Sequence, residues 1–281
     1  MGTMGAPMAG HLLKAGHSVT VWNRTAAKSA PLADAGAKIA PDLASLAADC
    51  DVVFLCVNRS RDVRACLDAM LPTARPGTLF VDHSTISPTA AKELHDALRG
   101  AGHRFVDAPV TGGSLGAQKG QLTIFLGGSQ EDVDAALPLV TAYAKRAERV
   151  GEGGAGQMAK MANQIAVGAA LQGLCEALSF AHKAGLDLEQ IRALIAGGSG
   201  GSWAFENYGP KILNGDYAPG FSVKNQRKDF GYCADAARAI DAAIPSTLLT
   251  DKLLARLEER GDGELTTAVL YEEMLRMGAD D

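Results

Sequence analysis

Residues 51–57, Asp51-Val52-Val53-Phe54-Leu55-Cys56-Val57, form a nearly continuous apolar run that reads as a β-strand covered on both faces. Strand-like runs of the same kind stand at residues 18–22 (SVTVW), 78–82 (TLFVD) and 104–107 (RFVD). Between them lie alanine-rich stretches of helical character at 7–15, 26–36, 63–70 and 88–99. Apolar strands alternating with helices predict a parallel, doubly wound sheet with helices on both faces, the Rossmann-like α/β class. A further strand is expected at 121–126 (QLTIFL), toward the far side of the sheet.

Beyond residue 150 the pattern turns helical. Residues 157–184 form one long apolar-rich stretch interrupted only by Gly168 and Gly173, and 188–195, 223–239 and 246–259 keep helical periodicity. The chain of 281 residues is long enough for two cores, so two domains are expected. They are a dinucleotide-binding sheet domain over 1–152 and an all-helical domain over 153–281.

The balance of 27 basic against 32 acidic side chains gives a net charge of −5 and no basic stripe, which speaks against a nucleic-acid partner. No run of 18 consecutive apolar residues appears, so no membrane span is expected. Cys50, Cys56, Cys66, Cys175 and Cys233 form no CxxC pair or metal-ligand cluster. No metal is expected, and reduced thiols without a signal peptide fit the cytoplasm. The apolar 157–184 stretch suggests a homo-oligomer, a dimer or tetramer.

Four places carry candidate chemistry. Gly2-Thr3-Met4-Gly5 precedes a helix and resembles the last two glycines of a dinucleotide turn, where backbone approaches a pyrophosphate. Two glycines alone also fit a loose terminus. About twenty residues on, Asn23-Arg24-Thr25 stands where an acidic residue would bind the ribose of NAD. An arginine there suits a 2′-phosphate and hence NADP(H), although a solvated turn arginine is the plain alternative. Thr111-Gly112-Gly113, in the run 107–113, offers a hydroxyl and open amides that can hold a carboxylate, or forms a simple turn. His83, in Asp82-His83-Ser84-Thr85 at a strand end, has no identifiable partner and reads as structural.

Lys160 is the catalytic candidate. It follows the glycine-rich run 151–156 and stands among Met158, Ala159, Met161, Ala162 and Ile165. A lysine short of water exchanges a proton readily near neutral pH, whereas one snorkelling to the surface does nothing of the kind. Asn163 and Gln164 fall on its helical face at i+3 and i+4.

A doubly wound sheet has its first strand at the centre, yet no strand precedes Gly2. Its absence would leave two rows of backbone groups unpaired. The polypeptide is therefore expected to start upstream by on the order of ten residues, one strand and a turn.

Five motifs in order extend the reading: GTMGAPMAGHLLKAGHSVTVWNRT, DHSTISP, DAPVTGGSLGAQKGQLTIFLGG, GAGQMAKMANQ and VKNQRKDF. Over essentially the whole chain they resemble the β-hydroxyacid dehydrogenase family, which includes 3-hydroxyisobutyrate dehydrogenase, tartronate semialdehyde reductase and the glyoxylate and succinic semialdehyde reductases. The resemblance implies an NAD(P)-dependent oxidoreductase, NADPH favoured, that reversibly reduces a small carboxylated aldehyde or ketone. Lys160 would be its acid/base, and Thr111, Gly112, Gly113, Asn163 and Gln164 would meet the substrate. Gly2, Thr3, Met4, Gly5, Asn23, Arg24, Thr25, Val57, Asn58, Thr85 and Lys228 would meet the cofactor.

The chain departs from the family pattern at three places. The first strand and first glycine are absent, Gln164 stands where many members have asparagine, and Leu265-Thr266-Thr267 replaces an Asp-containing pattern. Imine reductases share the architecture but usually lack the lysine, and a 6-phosphogluconate enzyme needs a longer helical domain. A non-catalytic oligomeric relative that has lost cofactor binding is the rival of a different class.

Overall fold

A computed structural model describes residues 1–278 of the chain, which divides into two compact units, Met1–Lys160 and Met161–Asp281. In the first unit, helices α1 (Gly5–Lys14), α2 (Ala30–Asp34), α3 (Leu43–Asp49), α4 (Ser60–Met70), α5 (Pro88–Gly100), α6 (Gly113–Lys119) and α7 (Gln130–Val140) pack around two sheets. Strands β1 (Thr20–Val21) and β2 (Lys38–Ile39) pair in parallel as a separate two-stranded sheet. The larger sheet contains β3 (Val52–Leu55), β4 (Leu79–Asp82), β5 (Arg104–Asp107), β6 (Val110–Thr111), β7 (Leu122–Gly127) and β8 (Ala144–Gly151).

The apolar runs at 51–57, 78–82 and 104–107 become the parallel strands β3, β4 and β5, in register Val53↔Phe80↔Phe105. Val53, Phe80, Phe105 and the α4 and α5 side chains Leu67, Leu94 and Leu98 form one layer of the core. Val81, Val106, Leu126 and Val133 belong to the layer on the other side. The wholly parallel sheet expected from the alternation needs correction. Strand β7 runs antiparallel to β5 and β6, then parallel to β8. The connection from β5 to β7 holds only β6 and the two-turn α6, which does not make a full crossover helix.

In the second unit the long helix α8 (Ala155–Lys183) meets α9 (Leu188–Ala196), α10 (Trp203–Asn207), α11 (Gly209–Leu213), α12 (Val223–Ala239), α13 (Pro245–Glu259) and α14 (Leu270–Arg276). Helix α8 is long and apolar enough to cross a membrane by length and composition. Its side chains Leu171, Leu174 and Leu178 are buried in the unit's core with Phe205, Phe230, Leu253 and Leu257. The unit boundary falls after Lys160, inside α8, eight residues beyond the boundary expected at 152. The first turns of this helix belong to the unit that contains the sheet.

The two glycines that interrupt α8 differ physically. A Cβ on Gly168 would lie 2.4 Å from Phe230 Cζ, whereas one on Gly173 would meet nothing within 4 Å. Gly168→Ala should therefore lower stability by about 1–3 kcal/mol through overpacking. Gly173→Ala should raise it by up to about 1 kcal/mol through helix propensity. Urea unfolding of both variants decides whether Gly168 is a packing residue.

Candidate functional site

The carboxylate of Asp107, at the end of β5, accepts hydrogen bonds from the backbone N–H groups of Gly154 and Gln157, both at 2.8 Å. These are amides at the start of α8 that have no partner within the helix, so Asp107 caps it from a distant strand. A negative group at a helix N-terminus is also favoured by the helix dipole. Burial pushes the Asp107 carboxyl up to about 7, against the opposing pull of the two amides. Gln157 fastens the same turn to the exit of β4. Its Nε2 donates to the Ser84 carbonyl at 2.8 Å and its Oε1 accepts from Ile86 N–H at 3.1 Å. Gly156 allows the approach, since a Cβ there would lie 2.5 Å from the Asp107 carbonyl oxygen.

One turn further on stands Lys160, only 6% exposed. Its Nζ donates to the carbonyl of Val110 in β6 at 2.9 Å. The next residues are Thr111, Gly112 and Gly113, so ammonium and carboxylate-binding candidate are neighbours. Gly112 and Gly113 hold φ of +122° and +62°, the region that favours glycine. A Cβ on Gly113 would meet nothing within 4 Å, so the backbone there borders open space. Gly112 caps α6 with no side-chain bond, which leaves the amides of that turn available.

Asn163 and Gln164 follow along α8 in the second unit. Asn163 Nδ2 donates to Gln164 Oε1 at 2.9 Å, and Gln164 Nε2 donates to Asp229 Oδ2 at 2.7 Å. Asp229 also pairs with Lys228, Nζ to Oδ1 at 3.1 Å, and that ammonium sits 5.6 Å from the Tyr232 ring centre. Gln164 is thus engaged through both ends of its amide, a role its spacing from Lys160 did not suggest. Asp107, Gln157 and Asp229 were missed by sequence reasoning. Only the strand-end position of Asp107 and the place of Asp229 beside Lys228 could have drawn attention to them.

Several expected cofactor residues come together in the first unit. Gly2, Gly5, Asn23, Arg24, Val57 and Asn58 line one cavity of about 960 Å³, with Thr3, Met4 and Thr25 adjoining them in the chain. Gly2 has no neighbour that a Cβ would strike and Gly5 only ordinary contacts, so the space they leave is open cavity rather than packed protein. Asn23 Nδ2 braces the turn by donating to the Thr25 carbonyl at 2.8 Å, and Arg24 is exposed. Thr85 follows Ser84, whose Oγ accepts from Val57 N–H at 2.9 Å and ties two strand ends together. An open helix N-terminus, glycines facing free space and an exposed arginine at a strand end fit a dinucleotide with phosphates.

His83 is structural, in line with its reading from the sequence. The ring is buried, with Nδ1 at 2.7 Å from the Ala108 carbonyl and Nε2 at 2.8 Å from the Tyr143 hydroxyl. The carbonyl can only accept, so Nδ1 carries the proton and Tyr143 donates to Nε2. Burial lowers the imidazole to about 4 and holds the phenol well above its ordinary range.

Two family models match the chain. Residues 1–152 match the NAD binding domain of 6-phosphogluconate dehydrogenase, and residues 154–273 match the domain described as NAD-binding of NADP-dependent 3-hydroxyisobutyrate dehydrogenase. A probable 3-hydroxyisobutyrate dehydrogenase-like protein of Arabidopsis thaliana is 40% identical over 98% of this chain and 84% of its own. The chain belongs to the β-hydroxyacid dehydrogenase family. An NAD-dependent L-serine dehydrogenase of Pseudomonas aeruginosa, a further relative, is 34% identical over 96% of this chain and 94% of its own. The structure of 3-hydroxyisobutyrate dehydrogenase from Mycobacterium tuberculosis with L-serine superposes with a TM-score of 0.88. It is 31% identical, and the match covers 98% and 97% of the two chains.

Within this β-hydroxyacid dehydrogenase, Asp107→Asn should cost about 1–3 kcal/mol, because the NH2 that replaces one oxygen cannot accept from the second N–H group, whereas a carboxyl oxygen can in either protonation state. The folded-state pKa of Asp107 lies above its ordinary 3.8. Its contribution to stability is therefore full below that value and declines as pH rises through about 7. The gap between wild type and D107N should be widest near pH 4 and narrow toward pH 8. Urea midpoints across that range test this, and a gap independent of pH would refute it. His83 titrates in both proteins and cancels.

Proposed function

We propose that this dehydrogenase reversibly reduces a small carboxylated aldehyde or ketone to its hydroxy acid, with NADPH favoured over NADH. The observation that carries the reading is Lys160, a buried ammonium hydrogen-bonded to Val110 beside the Thr111-Gly112-Gly113 turn. A bound nicotinamide cofactor supplies the hydride in reduction and receives it in oxidation.

The hydroxyl of Thr111 and the amides of the glycine turn hold the substrate carboxylate. That contact fixes the carbonyl group close to Lys160, whose Nζ delivers a proton to the carbonyl oxygen and takes it back in the reverse direction. Asn163 and Gln164 meet the substrate as polar contacts, and Gln164, which accepts from Asn163 and donates to Asp229, fixes the orientation of the pair. Gly2, Thr3, Met4 and Gly5 hold the pyrophosphate at the start of α1, and Val57, Asn58 and Thr85 line the cofactor path. Lys228 keeps its place as a cofactor contact on the strength of the VKNQRKDF match. Exposed apolar side chains on the second unit, Phe180 at 76% and Leu194 at 67%, support assembly into a homodimer or homotetramer. The free thiols support a reducing compartment, with the cytoplasm as our choice.

Lys160→Ala should lower kcat by roughly 10²–10⁴-fold, the usual value of a general acid/base. Its KM and unfolding midpoint should change little. Turnover of small semialdehydes and glyoxylate near the wild-type rate would remove the proposed role. Arg24→Ala should weaken NADPH binding by roughly ten- to a hundredfold, the worth of a charged hydrogen bond, and leave NADH binding nearly unchanged. Quenching of Trp22 fluorescence, a residue lining the same cavity, reports both affinities.

A further inference from the structure

Helix α6 is anchored by a side chain that the function proposed above leaves unused. The ring of His11, on α1, reaches the C-terminal end of α6, with Nε2 at 3.0 Å from the Ala117 carbonyl and 3.1 Å from that of Gln118. Carbonyl oxygens only accept, so Nε2 carries a proton and donates to both. The carbonyls in the last turn of a helix lack partners within it, and α6 is only seven residues long. Gly120 admits the ring: it holds φ of +64°, and a Cβ there would lie 3.2 Å from His11 Cε1.

The contact belongs to a seam between α1 and α6. Met8, His11 and Leu12 share one face of α1 at i, i+3 and i+4. Met8 and Leu12 lie in the same core layer as Ala117 of α6 and Leu122 of β7. Gly112 and Gly116 bring α6 against that strand, since a Cβ on either would stand 3.3 Å from Leu122 Cδ2. Apolar packing is non-directional, whereas a hydrogen bond fixes direction. The apolar contacts therefore hold α6 close, and the bonds from His11 set how it points. At its other end the helix starts from Gly112, which makes no side-chain cap bond, so nothing there braces the turn independently.

We propose that His11 is a positioning residue for the substrate carboxylate: by fastening the end of α6 to α1, it fixes the Thr111-Gly112-Gly113 turn from which α6 starts. This role rests on the assignment of that turn to the carboxylate under the proposed function. His11 acts from the end of α6 away from the turn, about 10 Å along a helix of this length. A rigid helix so short carries a displacement at one end to the other. The turn offers its amides as a group, and a carboxylate is held well only while those donors converge. Loss of the anchor should therefore weaken the hold on a carboxylated substrate and leave the proton chemistry at Lys160 in place.

Two variants separate the donor from the bulk of the ring. His11→Leu removes the donor and keeps an apolar side chain, and His11→Gln returns an N–H near the place of Nε2. The residue is half-buried and outside the core, so both variants should fold. Amide hydrogen exchange over residues 112–119 is read without ligands. KM and kcat are read with saturating NADPH for succinic semialdehyde and for butanal, an uncharged aldehyde with a chain of equal length. H11L should speed exchange over 112–119 and raise KM for succinic semialdehyde by roughly tenfold, about the worth of one hydrogen bond. Its kcat and its KM for butanal should stay near the wild-type values, and H11Q should recover most of what H11L loses. Unchanged exchange in H11L, an equal rise in KM for both aldehydes, no recovery in H11Q, or failure of H11L to fold each overturns the role. Equal KM values for the two aldehydes in the wild type would instead remove the carboxylate reading, and the role of His11 with it.

Discussion

The carboxylate of Asp107 is the contact on which the site depends. A 29-residue helix that begins in a glycine-rich loop has no intrinsic direction, and its first amides lack partners. Asp107 supplies acceptors to two of them from the end of β5, and Gln157 adds two bonds to the exit of β4. Lys160 lies five residues into the helix, roughly 8 Å along its axis at 1.5 Å per residue. A tilt of roughly ten degrees at the helix start would move its backbone by more than about 1 Å, enough to cost on the order of a hundredfold in a positioned reaction. The glycines around this junction follow from the same demand: Gly156 has no room for a side chain because the helix must touch the strand.

Once the helix is aimed, the ammonium of Lys160 still has to be accommodated. A buried charge without a partner is costly, and the hydrogen bond to the Val110 carbonyl offsets part of that cost. A carboxylate held at Thr111 to Gly113 would place a negative charge near this ammonium and favour its protonated form. On the proposed reading the substrate itself thus readies the acid for reduction, and the departing product weakens that hold.

Much of this organisation is visible in the chain before folding. The apolar runs at 51–57, 78–82 and 104–107 become β3, β4 and β5 because strands covered on both faces need no polar alternation. Strand β8 escaped that criterion. Its Lys145, Arg146 and Glu148 point to water from a sheet edge, so its sequence carries charge rather than an apolar run. The two-residue strand β2 is too short to have a period at all. At the site, the burial of Lys160 was legible from local composition. Asp107 was not, because its partners lie 47 and 50 residues away and no spacing rule links them. The partner of Gln164 was hidden for the same reason: its amide donates to Asp229, 65 residues distant.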